Sequence, residues 1–424
     1  MNYRPSLFLI LPVLAAAAAC GSNSNSPAEA DAAVSNGMDA SDTEAGPATG
    51  PSGIAVVNSD YQSASVSFLD RDGNLLKDGC FNSGSGGPSL TMTLSGDVTL
   101  PTQSQLGGPV VLVDRQNSSL TWLDPVTCKP LGQLAVGTGF ASNPHDYVWL
   151  SASKAYVPRF KDNLAATANT GDFDDGSDLL IIDPAQLKIV GRIDLKPFAP
   201  AGVLPMADRA LLVGGMVYVS LNAISDDFAT YGTGRIVMVD PSSDQVVATI
   251  DTPGVKNCGA MTYVAADNQL LVACNGDYAA GPQQADSSAI VAIDLGLTPP
   301  AVVTQVNAAA VGGHSFSNWA VAALDATTLL GVTEGNFSNT PPDQLWSVSL
   351  SGAPSALLFS SAEAFTLGAI LVDAEKGQFI VADGPKKATS LLHVFGFSGG
   401  TIAAGRTIKS NPSHSLPPRA LAWF

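Results

Sequence analysis

Residues 209–252, RALLVGGMVYVSLNAISDDFATYGTGRIVMVDPSSDQVVATIDT, decide the fold. A short apolar strand, Ala210 to Val213, is followed by a Gly214-Gly215 turn and a second strand, Met216 to Leu221. A polar loop leads to a third strand, Arg235 to Val239, and an Asp-Pro turn leads to a fourth, Gln245 to Ile250. Four short strands separated by turn residues predict one antiparallel meander. Such a sheet cannot bury both faces alone, so it must stack against copies of itself.

The copies are present. The third strand ends in an apolar run before Asp in SVSFLD (Asp70), SLTWLD (Asp124), LLIID (Asp183), IVMVD (Asp240) and IVAID (Asp294). The same slot holds Ser349 in LWSVSL and Phe395 in LLHVF. Successive spacings of 54, 59, 57, 54, 55 and 46 residues phase seven units between residue 53 and the end of the chain. The fold class expected is all-β, a seven-bladed β-propeller of four-stranded antiparallel blades. The first unit lacks an innermost strand, whereas the last seven residues, PRALAWF, form an unpaired strand resembling RALLV at 209–213. The C-terminal strand is therefore expected to complete the first blade and close the ring, which leaves no open sheet edge.

Apolar residues make up 46% of the 424-residue chain and charged residues 13%, with 41 Gly and 28 Pro, as many short buried strands joined by tight turns require. Residues 1–19 combine Arg4, an apolar run and small residues, and read as a signal peptide too short to span a membrane stably. Without them the chain holds 19 basic and 37 acidic residues, a net charge of −18, which disfavours nucleic acid or an anionic membrane surface as a partner. Ala17-Ala18-Ala19-Cys20 resembles a bacterial lipobox, which implies lipidation of Cys20 and a membrane contact through that anchor alone. Gly21, not Asp, follows, which points to the outer membrane of a bacterial cell envelope. Residues 21–52 hold five acids, no Lys or Arg and no aromatic, and read as a disordered tether with a reach of roughly 30 Å. The domains expected are thus signal peptide 1–19, lipidated Cys20 with its tether to 52, and propeller 53–424.

Four further cysteines in an exported chain suggest two disulfides out of three connectivities. Cys258 and Cys274 flank one hairpin and are expected to pair; Cys80 and Cys128, near the outer strands of adjacent blades, follow by elimination. No CxxC motif exists, which removes thioredoxin-like chemistry.

Tyr156-Val157-Pro158-Arg159, Tyr218-Val219-Ser220-Leu221-Asn222 and Val272-Ala273-Cys274-Asn275 resemble the second strand of YVTN-type β-propeller repeats, and Val246 to Ile250 resembles their fourth. The resemblance covers about residues 140 to 300 well. It implies the fold and no single activity, because such propellers serve as binding, surface-layer and enzymatic scaffolds.

Strand parity locates a site. The start of the first strand and the loop between strands two and three share one face, and in units three to six those loops are long: 161–177, 223–234, 276–288 and 335–343. Matching the units places His145, Asp146, Asp208, Arg209, Asn318 and Arg419 around the channel at that face, either as a site for an anionic group or as mutually paired plugs. The acidic loop 171–178 offers Asp172, Asp174 and Asp178 as oxygen ligands for calcium, or is simply a solvated acidic loop; its glycine spacing departs from the EF-hand pattern, and no other cofactor is expected. Aromatics on the loops, Phe173, Phe228, Tyr231, Tyr278 and Phe337, either line a surface or fold back over the blades. The four histidines show no metal-ligand spacing, and neither a GxSxG elbow nor a phosphate-cradling loop occurs. The function expected is a monomeric, non-enzymatic binding or assembly scaffold presenting its loop-rich face to a protein, glycan or small ligand. The alternative is a lactonase-like or other propeller hydrolase acting at the channel mouth through His145, Asp146, Asp208 and Asn318.

Overall fold

The computed structural model describes residues 51–167, 171, 173–338, 340–386 and 389–424. The segments expected to be signal peptide and tether, with Cys20, lie outside them up to residue 50, as does Asp172. The chain forms seven four-stranded antiparallel sheets arranged as blades in a ring. Residues 209–252 lie in blade four, with strands Ala207–Val213, Met216–Leu221, Gly234–Asp240 and Gln245–Thr252 paired in sequence order. Blade one is assembled from both ends of the domain: Pro418–Trp423 lies innermost, followed by Gly53–Ser59, Ala64–Asp70 and Leu75–Asn82.

Seven apolar cores lie between neighbouring blades, so both faces of each sheet are covered. Alternation along one strand shows why: Ala55 and Val57 pack toward Leu112 and Leu123 of blade two, while Ile54 and Val56 pack toward Ile380 and Leu392 of blade seven. Side chains of period two thus feed two cores, and the inner strands read as continuous apolar runs. Each fully buried Val or Leu contributes about 1.5–3 kcal/mol. The last core includes Leu421 from the C-terminal strand, so ring closure is an apolar contact as well as a hydrogen-bonded one. Cys80–Cys128 ties the outer part of blade one to blade two, and Cys258–Cys274 closes the first hairpin of blade five. Two disulfides point to an oxidising, extracytoplasmic compartment.

The expected asymmetry of the two faces is present. Turns between strands one and two, such as Gly214-Gly215, are tight. Gly53 pairs with Asp70, whose neighbour begins the turn to the fourth strand, so the chain joins the propeller on this tight-turn face. On the opposite face, one residue per blade ends the second strand by donating its backbone N–H to the segment that leads into the first. These residues are Ser59, Arg115, Phe160, Asn222, Asn275, Glu334 and Gly384, at 2.7–3.1 Å.

Candidate functional site: the channel mouth

The inner strands are irregular where they begin. Ala207 pairs with Leu221 but Ala210 with Val219, so residues 208 and 209 stand opposite Ser220 alone. The same two-against-one bulge follows Cys258 in blade five and Leu367 in blade seven, and Arg419 is the extra residue in blade one. In blade six four residues, 317–320, stand opposite one. Bulges re-aim side chains. Here they turn Arg209, Trp319 and Arg419 toward a cavity of about 620 Å³ at the channel mouth.

The sequence-derived ring divides into two groups. His145 and Asp208 are buried and joined, Nδ1 to Oδ1 at 2.7 Å, with the imidazole stacked on Phe160 at 4.3 Å. Burial pushes the His145 pKa below its ordinary value, while burial of Asp208 is outweighed by His145 and Arg209, which hold that carboxyl below the usual range. The neutral ring therefore donates from Nδ1 to an ionised Asp208. Asp146 is fully buried: Oδ1 accepts the N–H of Thr102 at 2.9 Å and of Tyr147 at 2.8 Å, and Oδ2 that of Ala210 at 2.9 Å. Asn318 donates to Asn257 Oδ1 at 3.0 Å. These four side chains are engaged with the protein itself.

The two arginines face the cavity. Arg209 donates to the His145 carbonyl at 3.1 Å and lies 3.5 Å from Asp208. Arg419 is held by carbonyls alone, donating Nε to Ser59 at 3.2 Å, Nη1 to Phe365 at 3.2 Å and Nη2 to Gly384 at 3.4 Å, with the guanidinium 5.1 Å from the Tyr61 ring centre. Among the described residues it has no carboxylate partner. Three of its five N–H donors are used, all by carbonyls.

Sequence reasoning missed four cavity residues. Arg115 pairs with Asp97 and lies 5.0 Å from the Trp319 ring centre; Arg209 lies 5.9 Å from the same ring, which is 46% exposed and thus reaches from blade six toward blades two and four. Glu334 is hydrogen-bonded by the Tyr278 hydroxyl, and burial pushes its pKa up to about 7. A sequence signal existed: Arg115 and Glu334 occupy the strand-ending slot shared with Asn222 and Asn275, and aligning that slot would have found them. Asp343 also lines the cavity, but its carboxylate accepts four backbone N–H groups, from Gly335, Phe365, Thr366 and Leu367, at 2.7–3.0 Å.

The tight-turn end of the channel is crossed by the protein's own chain. The innermost strand of blade two is only Val98–Thr99, and the following segment reaches blade four, where the Gln103 amide accepts the Leu212 N–H at 3.1 Å and donates to its carbonyl at 3.5 Å. The mouth is therefore the open end.

The acidic loop is used differently from the mouth. Asp178 is fully buried and bidentate with Arg159, Nε to Oδ1 and Nη2 to Oδ2 both at 2.7 Å. Asp174 lies in the loop, where its backbone carbonyl accepts from Asn163 at 2.7 Å. Among the described residues no three His, Cys, Asp or Glu side chains converge in a way that could hold a metal ion. The loop aromatics split between the two expected roles. Tyr231 is buried and Phe173 packs on the core between blades two and three, whereas Phe228, Tyr278 and Phe337 are exposed.

No family profile and no curated protein sequence matches the chain. Among solved structures, it is similar to a periplasmic gluconolactonase from Pseudomonas aeruginosa at 12% identity and a TM-score of 0.55, over 88% of this chain and 98% of that one. It is also similar to a candidate 6-phosphogluconolactonase from Bacteroides uniformis at 10% identity and a TM-score of 0.55, and to a protein from Lactobacillus plantarum at 11% and 0.56. Both matches cover 88% of this chain and 100% of the other. At such identities the likeness concerns the fold, and the chain is a seven-bladed β-propeller.

Proposed function

We propose that this is an envelope-anchored, extracytoplasmic propeller of the YVTN kind that binds a small anionic ligand in its channel mouth. The observation that carries the reading is Arg419, a guanidinium fixed by three carbonyls, without a carboxylate partner among the described residues, in the wall of a 620 Å³ cavity. The cavity lies within the range of about 300–1,000 Å³ that small-molecule sites occupy. Arg209 on the facing side adds a second cation, and the carboxylates that share the cavity are engaged elsewhere: Asp97 with Arg115, Glu334 with the Tyr278 hydroxyl and Asp343 with four backbone N–H groups. Titration calorimetry with a panel of small carboxylates and phosphates tests it. Arg419→Met should weaken binding by about 10- to 100-fold, since a charge-assisted hydrogen bond contributes about 1.5–3 kcal/mol. Affinity unchanged by that substitution refutes the assignment.

A second reading, lactonase-type hydrolysis, is favoured by one observation: Glu334, with a pKa near 7, shares the cavity with these cations and could exchange a proton there at neutral pH. Two of the structural neighbours carry lactonase names. Hydrolysis of a sugar lactone followed by pH-stat, with loss of at least a hundredfold in Glu334→Gln, supports it; no turnover above background removes it.

A further inference from the structure

The inner strands present bare backbone to the channel, and the protein shows in blade four how that backbone is satisfied. The Ala210 N–H is taken by the Asp146 carboxylate, and both backbone groups of Leu212 are taken by the Gln103 side-chain amide. Gln103 thus acts there as a one-residue imitation of a neighbouring strand.

Blade one lacks such a partner. Gly53 and Phe424 exchange two backbone hydrogen bonds, at 3.2 and 3.0 Å, and the register continues through Ala55 opposite Ala422 and Val57 opposite Ala420. In an antiparallel pair, bonded and non-bonded positions alternate. Ala420 and Ala422 therefore bond outward to the neighbouring strand, and the backbone groups of Leu421 and Trp423 point the other way. Both residues line the cavity, and among the described residues nothing caps their amides. Arg419 stands two residues above Leu421, about 7 Å along the strand.

We infer that the occupant of the mouth is a short, extended, peptide-like acid, which pairs antiparallel with the open edge of Pro418–Trp423 and sets its terminal carboxylate on Arg419. The inference rests on the proposed anion-binding role of Arg419 and adds the ligand's chemical class. Direction follows from the strand: it descends from Arg419 at the mouth toward Trp423, so a partner running the opposite way brings its C-terminus up to the guanidinium. The residue opposite Leu421 donates its N–H to the Leu421 carbonyl and accepts the Leu421 N–H, and two further residues reach Arg419. The hydroxyls of a sugar acid donate and accept but do not repeat with the spacing of strand N–H and C=O groups, and a simple carboxylate uses only the guanidinium.

Three probes and one variant test this by calorimetry on the full protein. N-acetyl-Ala-Ala-Ala with a free carboxylate should bind at least tenfold tighter than propanoate. Replacing its first alanine by lactic acid, which turns the N–H facing Leu421 into an ester oxygen, should abolish most of that gain without altering the protein. Arg419→Met should weaken the peptide and propanoate alike. Equal affinities for peptide and propanoate, or for peptide and ester, overturn the edge pairing while leaving the anion site standing. Absence of binding by the peptide, propanoate and inorganic phosphate together overturns both.

Discussion

Replacing Arg159 by Met should lower the melting temperature by about 4–6 °C, and replacing its partner as well should restore part of the loss. Arg159 has no exposed surface, and it binds Asp178 through two bonds of 2.7 Å, the Phe173 carbonyl at 2.6 Å and the Thr138 hydroxyl at 2.6 Å. Its removal leaves a fully buried carboxylate with only Arg192 nearby, at 3.5 Å. Breaking a buried pair from one side costs about 3–5 kcal/mol. Unfolding entropy near 60 °C is about 2.1 cal/mol/K per residue, or about 0.8 kcal/mol/K for a domain of about 370 residues, so the cost converts to about 4–6 °C. In Arg159→Met/Asp178→Leu no charge is stranded, and the deficit should shrink to about 1–2 kcal/mol. Scanning calorimetry of the wild type, both single variants and the double gives the coupling directly. A single variant melting within 1 °C of wild type, or a double melting below Arg159→Met, would refute the reasoning that Arg159 compensates a buried charge on Asp178.

Further outcomes are expected elsewhere in the ring. Glu334 ionises near pH 4.5 in the unfolded chain and near 7 when folded, so the native state binds the extra proton and stability should fall as pH rises between those values, then level off. The shift sets an upper bound of about 3 kcal/mol, reduced to about 1–2 by water in the cavity, and Glu334→Gln should flatten the melting temperature against pH over that interval. Replacing Cys80 and Cys128 by Ser releases a 48-residue span and should cost about 4 kcal/mol, against about 3 for the 16-residue span of Cys258 and Cys274, both measured by chemical denaturation. Deleting residues 418–424 exposes the edge of Gly53–Ser59, and size-exclusion chromatography should then find aggregate that the intact protein does not form.

The ring was legible because its punctuation is chemical: an apolar run and an Asp end the third strand in five units, and that spacing counts the blades. Closure was legible because PRALAWF had no partner in sequence and the first unit lacked one. The channel mouth was legible only in position. Parity placed Asp208, Arg209 and Arg419 at the right face, but which of them remain open is decided by strand register. The bulges hand Asp208 to His145, from the preceding blade, and leave Arg419 with carbonyls. The acidic loop suggests Asp178 as a cation ligand; its partner in the structure, Arg159, lies on the adjacent strand, where the sequence shows it only as the end of the Tyr156–Arg159 repeat signature. The crossing of the channel by Gln103 joins blades two and four, and no local pattern announces a contact made 109 residues away.

The arrangement of blade one has a consequence for orientation. Because the last strand takes the innermost place, the strand from Gly53 must run outward from the tight-turn face toward the mouth. Residues 51 and 52 therefore join the propeller at the tight-turn face, the end of the channel opposite the mouth. The same seven C-terminal residues that seal the ring thus set the face at which the chain enters it. A version closed by its N-terminal strand would carry an identical mouth and take its chain in beside it.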